Sequence, residues 1–309
     1  MTIQPRLRLG TRSSPLAMAQ AEEARARLCA AHGWDESVVE LVPVIATGDR
    51  IQDRPLAEIG GKALWTKELD QWLHERRIDA AVHSMKDVET IRPEWLAIAA
   101  ILPRADVRDV LFGAAGIADL PAGARVGTSA PRRAAQLLHL RPDCTIVPFR
   151  GNVATRLGKL AAGEADATLL AAAGLERLGG GYGGAPLPVE AWLPAPAQGA
   201  IGIECRADDA AARALLAAID DRSSRARVMA ERALLLALGG NCHSPVAVHA
   251  RIEADMIVMR AALFSPDGTA RVDGEARFPA DDAAAPAALA QDLLAQADAS
   301  ITRHFSGSA

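Results

Sequence analysis

The chain has 309 residues, of which 50% are apolar and 23% charged, and its formal net charge is −4. That is the composition of a globular protein, and it excludes a chain-wide basic field of the kind that draws nucleic acid. No apolar run approaches the roughly 18 residues of a membrane span, and the first residues lack a signal-peptide core. The four cysteines, Cys29, Cys144, Cys205 and Cys242, form no CxxC pair. A cytoplasmic, reduced, metal-free protein that does not engage membranes is therefore expected.

In chain order, Arg6–Gly10 predicts a short strand. Thr11-Arg12-Ser13-Ser14 then offers capping side chains, and Pro15 suits the first position of a helix that runs to Ala31 and stops at Gly33. Val38–Ile45 is β-branched and apolar, a second strand; 62–76 predicts a helix and Ile78–Ser84 a third strand. The same order recurs further on. Arg125–Gly127 predicts a strand, Pro131 to Leu140 a helix, Cys144–Phe149 a strand, Val153–Ala162 a helix closed by Gly163, and Ala167–Ala171 a strand. "LGTRSSPLAMAQ" at 9–20 and "VGTSAPRRAAQL" at 126–137 are alike. Two βαβαβ units predict two α/β lobes.

Residues 181–196, rich in Gly and Pro, predict a connection. Ala200–Glu204 is a further apolar strand, and a short helix follows it. Ser223–Leu238 is a strongly apolar helix stopped by Gly239-Gly240. Val246–Ile252, Met256–Phe264 and Ala270–Phe278 predict strands, the last two joined by the turn Ser265-Pro266-Asp267-Gly268. A closing helix is expected over 284–305. The third unit is thus α+β.

Ligands of parallel α/β lobes bind beyond the C-terminal ends of the strands. Thr11–Ser14 and Thr128–Arg133 lie there, at helix N-termini, where free N–H groups and the helix dipole favour an anion. Arg12, Arg132 and Arg133 add charge-assisted bonds suited to carboxylate or phosphate. Arg150 stands at the next strand end, and Arg156 in the helix that follows. Any one of these could be a solvated surface arginine; together they predict an anion site. Lys86 and Asp87 directly follow the strand "AAVHS". Asp87 could accept an N–H, share a proton or steady a cation, and Lys86 could form a Schiff base. His83 is expected to be packed inside its lobe.

In "LGGNCHSP" at 238–245, Cys242 and His243 are adjacent, so one ion does not readily take both. A disulfide is disfavoured by compartment. A helix C-terminus is the wrong pole to lower a thiol's pKa. A buried, inert cysteine is the commonest alternative. The residues leave an accessible thiol that would suit a covalent tether.

The blocks "TRSSPLA" at 11–17, "GGKALWTKEL" at 60–69, "AAVHSMKD" at 80–87, "PRRAAQL" at 131–137, "RGNVATRL" at 150–157, "AAAGLERLG" at 171–179, "PAQGAIGIECR" at 196–206 and "GGNCHSP" at 239–245 together resemble the porphobilinogen deaminase, or hydroxymethylbilane synthase, family. The resemblance implies two lobes like those of periplasmic binding proteins and a C-terminal α+β domain. The expected domains are residues 1–103 with 198–219, residues 104–197, and residues 220–309. It implies a transferase that condenses four porphobilinogens head to tail with release of ammonia, giving the linear tetrapyrrole precursor of uroporphyrinogen III. It further implies a dipyrromethane cofactor, built from the substrate and held by thioether to Cys242.

By the same resemblance Asp87 is the catalytic carboxylate. Arg12, Ser14, Lys86, Thr128, Ser129, Arg132, Arg133, Arg150, Arg156 and Arg177 bind the acetate and propionate groups of substrate and cofactor. Trp65 and Gln198 are further cleft residues. Ala130 stands where the family usually has serine, Pro131 where it has another apolar residue, and Trp65 where phenylalanine is common. The expected partners are porphobilinogen and the growing oligopyrrole chain, and the expected state is a monomer. Two rivals share these residues. A solute-binding protein would use neither Cys242 nor Asp87, and a pyridoxal phosphate enzyme would use Lys86.

Overall fold

The structure is a computed structural model and describes residues 6–44, 66–241 and 244–305. In chain order its elements are β1 (Leu7–Arg12), α1 (Pro15–His32), β2 (Val39–Val44), α2 (Lys67–His74), β3 (Ala80–Ser84), β4 (Leu96–Ile101), β5 (Asp109–Phe112) and β6 (Arg125–Gly127). There follow α3 (Pro131–Leu140), β7 (Thr145–Val147), α4 (Val153–Ala161), β8 (Ala167–Ala171), α5 (Ala172–Arg177), β9 (Ala185–Pro186), β10 (Ile201–Arg206) and α6 (Ala210–Ala217). The last are α7 (Arg222–Ala237), β11 (Val246–Glu253), β12 (Met256–Phe264), β13 (Arg271–Pro279), α8 (Ala285–Gln296) and α9 (Ala299–Thr302).

The chain divides into two compact units, residues 1–105 with 199–225 and residues 106–198 with 226–309. The first holds a five-stranded sheet in the order β2-β1-β3-β10-β4. β1, β2 and β3 run parallel, and β10 runs antiparallel to both β3 and β4. α1 covers one face, where Leu7, Leu9, Leu28, Val39 and Ile203 form a dry core. α2 covers the other, with Leu69, Leu73, Ile78 and Ala81. α1 begins as its sequence dictates: Ser14 Oγ accepts the Ala17 N–H at 3.4 Å and Pro15 follows the cap. It ends at Gly33, whose φ of 64° is a left-handed cap that costs glycine little.

The second unit holds a sheet of the same plan, β7-β6-β8-β5-β9. β6, β7 and β8 are parallel, and β5 returns antiparallel beside β8. The strand order is again second, first, third, then a returning strand, which is the repeat that "LGTRSSP" and "VGTSAPR" announce. The same unit contains the antiparallel meander β11-β12-β13. Val248, Ala261, Leu263, Phe278, Leu289 and Leu293 form its core. Ala135 of α3 packs on its other face with Ala247, Ala262 and Phe264. The turn at 265–268 closes as expected, with the Gly268 N–H on Ser265 O at 2.9 Å. Gly268 has φ 74°, and a Cβ there would lie 2.5 Å from His139 N, so a side chain would push the turn off α3.

Several expected bounds shift. β1 extends to Arg12 because β2 continues beside it, pairing Arg12 with Val44. The strand expected over Cys144–Phe149 forms only from Thr145 to Val147, as far as β6 offers a partner. The closing helix divides into α8 and α9: Ala297 turns extended, and Asp298 starts a new turn by accepting the Ser300 N–H. The connection expected at 181–196 includes the two residues of β9, paired with β5.

Candidate active site

In the first unit, the parallel neighbours β1 and β3 bring their C-terminal ends to the same sheet edge. Arg12 ends β1 and is half-buried; Thr11 before it is buried and donates its hydroxyl to Ala17 O at 3.0 Å. Ser14, half-buried, caps α1. β3 ends at Ser84, whose Oγ sits 2.8 Å from Gln20 Nε2 on α1. Met85–Asp87 then form one turn of 3-10 helix, closed by the Val88 N–H on Met85 O. Lys86 and Asp87 are both half-buried on that turn. Arg12, Ser14, Lys86 and Asp87 therefore come from separate segments to one edge of one sheet.

In the second unit, β6, β7 and β8 likewise end together. Thr128 follows β6; it is buried, and its Oγ1 accepts the Ala130 N–H at 3.2 Å. Ser129 is exposed. α3 has no side-chain cap at Ala130, and the Thr128 hydroxyl meets the N–H of that cap residue itself, not one of the helix's first turn. Arg150 follows β7, and Asn152 caps α4 by accepting the Thr155 N–H at 2.9 Å. Arg156, in the first turns of α4, donates Nε to Gly151 O at 2.9 Å. Arg177 closes α5, which leads straight from β8. Arg150, Arg156 and Arg177 are all half-buried.

Arg132 and Arg133, expected to bind carboxylates, are drawn inward in this structure. Each is 5% exposed, and both turn inward onto Asp109 of β5, which is wholly buried. Arg132 Nη2 donates to Asp109 Oδ2 and Arg133 Nη2 to Oδ1, each at 2.7 Å. Arg132 Nη1 donates to Leu193 O at 2.9 Å and Arg133 Nη1 to Leu169 O at 2.8 Å, while the buried Arg132 Nε makes no hydrogen bond. Gln198, expected in a cleft, belongs to the same cluster: its Nε2 donates to Asp109 Oδ1 at 2.9 Å and to Val107 O at 2.7 Å. Trp192 Nε1 completes the shell at 2.8 Å. Burial alone would raise the Asp109 carboxyl, but the two guanidiniums and the Trp192 N–H hold it far below the ordinary range. A carboxylate with two cations and five donors has its charge fully answered inside the unit. The physical reason for their inward turn is this internal partner, which lies on β5.

A second buried charge cluster flanks the Asp87 turn. His83 is packed inside, as expected, with Nε2 3.2 Å from Glu204 Oε2 but poorly aligned for a hydrogen bond. Arg92 grips both oxygens of Glu204 at 2.9 Å and also reaches Glu89 at 2.8 Å and Asp70 at 2.5 Å. Against the upward push of burial, His83 and Arg92 bring the Glu204 carboxyl down from 4.5 to about 2. Burial pushes Asp70 the other way. Local sequence gives little sign of either cluster. The available signal was Glu204 itself, an acidic residue inside the apolar run "AIGIEC", where a charge must be paired.

A depressed carboxyl adds stability that is fully present above its unfolded value and is lost as pH falls through the folded one. The Glu204 contribution is on the order of 3 kcal/mol and drains between about pH 4.5 and pH 2; the raised Asp70 offsets part of it. Urea midpoints from pH 7 to pH 3 should therefore fall more steeply for the wild type than for Glu204→Gln. Parallel curves would refute the assignment.

Trp65, Cys242 and His243 lie outside the described residues. On either side of the cysteine, Asn241 N–H donates to Ser244 Oγ and Ser244 N–H to Asn241 O, both at 3.0 Å. Gly239, with φ 63°, ends α7. No group of three or more metal-ligating side chains occurs among the described residues, and no described helix is long and apolar enough to cross a membrane.

A family model described as "Porphobilinogen deaminase, dipyromethane cofactor binding domain" matches residues 7–214. Another, "Porphobilinogen deaminase, C-terminal domain", matches residues 225–296. The porphobilinogen deaminase of Sphingopyxis alaskensis is 60% identical over 305 residues, covering 97% of this chain and 96% of that protein. That of Paracoccus denitrificans is 52% identical over 298 residues, 95% of each. Among solved structures, a Salmonella typhimurium periplasmic binding protein of high arginine specificity gives a TM-score of 0.40 at 12% identity, over 74% of this chain and 97% of that one. So slight a likeness adds nothing to the topology already described.

Proposed function

The chain belongs to the porphobilinogen deaminase family, and we propose that Asp87 and Cys242 divide its chemistry, the first as catalytic carboxylate and the second as the anchor of the primer. The activity is that of a hydroxymethylbilane synthase, a transferase with a dipyrromethane cofactor. What supports the residue assignment is the edge of the first sheet, where Asp87 stands beside Lys86, Arg12 and Ser14.

The cofactor's chemistry fits the side chains available. Two pyrroles carry four carboxylates, and each further unit adds two. Arg12 and Lys86 on one edge, and Arg150, Arg156 and Arg177 on the other, are half-buried cations at strand or helix ends, suited to carboxylates. Ser14 and Ser129 add hydroxyl donors. Arg132, Arg133, Thr128 and Gln198 are buried in the second unit. When bound, the dipyrromethane supplies the free α-carbon onto which pyrrole units are added.

Asp87 serves the incoming monomer. As the aminomethyl C–N bond breaks and ammonia leaves, positive charge spreads over the pyrrole. A fixed carboxylate accepting the pyrrole N–H is most strongly bound at that moment, which is the condition for catalysis. After the new C–C bond forms, one proton must leave the attacked α-carbon, and Asp87 is the carboxylate on this edge that can take it or pass it on. Lys86 neutralises a neighbouring side-chain carboxylate and keeps the edge cationic. We read residues 220–309 as the domain that bears the primer, and the protein as a cytoplasmic monomer.

Intact mass tests the proposal. The purified chain should weigh more than its 32.4 kDa polypeptide by a two-ring group, and Cys242→Ala should return to polypeptide mass and stay inert with porphobilinogen. Wild-type protein at polypeptide mass, inactive on porphobilinogen, would overturn it. A borohydride-fixed adduct on Lys86 would favour the pyridoxal rival.

A further inference from the structure

A three-residue turn of 3-10 helix has one internal hydrogen bond and cannot hold its own conformation. Met85–Asp87 is such a turn, so whatever places its side chains must lie outside it. Several of the buried anchors around it lead to β10 or to the residue before it. Ahead of Lys86, the Met85 N–H donates to Ala200 O at 3.0 Å. The Met85 side chain is 1% exposed, and its Sδ would be 2.0 Å from a Cβ placed on Gly202. His83 faces Glu204. Beyond Asp87, Arg92 returns to the same Glu204 with two bonds of 2.9 Å, while its other nitrogen holds Glu89. Thr66 Oγ1, 2.9 Å from Glu89 Oε2, ties the start of α2 to the cluster.

We propose that Glu204 and Arg92 are positioning residues for catalysis: through them β10 clamps the chain on both sides of Lys86 and Asp87 and sets where the Asp87 carboxylate stands. The proposal rests on Asp87 being the catalytic carboxylate. A buried ion pair contributes little net stability over an apolar pair of the same shape, so stability alone is a poor reason for this cluster. Geometry is a better one. A catalytic group has to be held within about 0.5 Å of its productive position, and a misplacement of about 1 Å can cost 100-fold in rate. Glu204 receives the clamp from both directions, and Gly202 leaves room for the Met85 side chain that completes it.

The test uses the holoenzyme, with competent sites counted by titration with porphobilinogen so that kcat is expressed per site. Glu204→Gln keeps the shape and removes the charge. Its kcat per site should fall about 10- to 100-fold while KM changes less than about 3-fold. Combined with Asp87→Glu, in which the carboxylate is already misplaced, its penalty should shrink to less than about 3-fold. Gly202→Ala, which displaces Met85 without touching a charge, should show the same split, and it carries the test if Glu204→Gln does not fold. Fewer competent sites with unchanged kcat per site would make the cluster merely structural and overturn the inference. Asp87→Asn at wild-type rate would overturn the Asp87 assignment and this inference with it. Inert Asp87→Asn beside normal per-site rates in Glu204→Gln and Gly202→Ala would overturn this inference alone.

Discussion

Asp87→Asn should lower kcat by at least about 1000-fold while the fold and the covalent primer persist. The substitution keeps the size and a carbonyl acceptor but removes the negative charge. Electrostatic stabilisation of developing charge is worth about 100- to 1000-fold in comparable sites, and a positioned proton acceptor about 100- to 10,000-fold. Asparagine loses both. Asp87 is half-buried on a short turn, so the stability cost should stay within about 1 kcal/mol. The outcome is read from single-turnover rates with porphobilinogen, from a melting curve and from intact mass. Retention of more than a tenth of the rate would remove Asp87 from the chemistry. Loss of the primer as well would move its role to cofactor assembly.

Asp109→Ala should destabilise the protein by about 3–5 kcal/mol, the range seen when one partner of a buried ion pair is removed. Here the partners left behind are two guanidiniums, each 5% exposed, with Trp192 Nε1 and Gln198 Nε2 losing an acceptor as well. Each stranded donor adds roughly 1–3 kcal/mol of desolvation penalty, relieved in part by relaxation. Domains have a total stability of about 5–15 kcal/mol, so this one change takes much of it. Asp143→Asn provides the contrast. Its pair with Arg141, at 2.8 Å, is well solvated on the aspartate side, and its loss should lower the urea midpoint far less than the loss of Asp109 does. Urea midpoints of the two variants, at constant m-value, decide the matter. Similar losses in both would mean that Asp109 is not the counter-charge that keeps Arg132 and Arg133 inside.

Much of the fold follows from local rules. Ser14-Pro15 and Gly33 mark the ends of α1, Asn152 opens α4, and the 265–268 turn forms where its residues require one. The repeated strand–helix order becomes two sheets of the same strand order. β4 and β5 were not anticipated. "LAIAAI" is a short apolar run whose periodicity does not separate strand from helix, and its ladder partner β10 arrives about a hundred residues later. Likewise the break at Ala297-Asp298 lies inside an alanine-rich stretch whose composition favours an unbroken helix.

The amino-acid sequence alone determined most of the order of the elements, the family, and the polar residues at the ends of the parallel strands and the starts of the helices that follow: Arg12 and Ser14, Lys86 and Asp87, Arg150 and Arg156. Caps, turns and apolar periodicity act over a few residues, so they can be read without neighbours. Which charges face inward was decided only by tertiary structure. Arg132 and Arg133 occupy a helix N-terminus that suits an external anion, yet Asp109 on β5 claims both. Glu204, inside the apolar run of β10, is met by His83 and Arg92. A buried charge takes the partner that chain folding brings within hydrogen-bonding distance, and that partner comes from a distant segment that local spacing does not reveal.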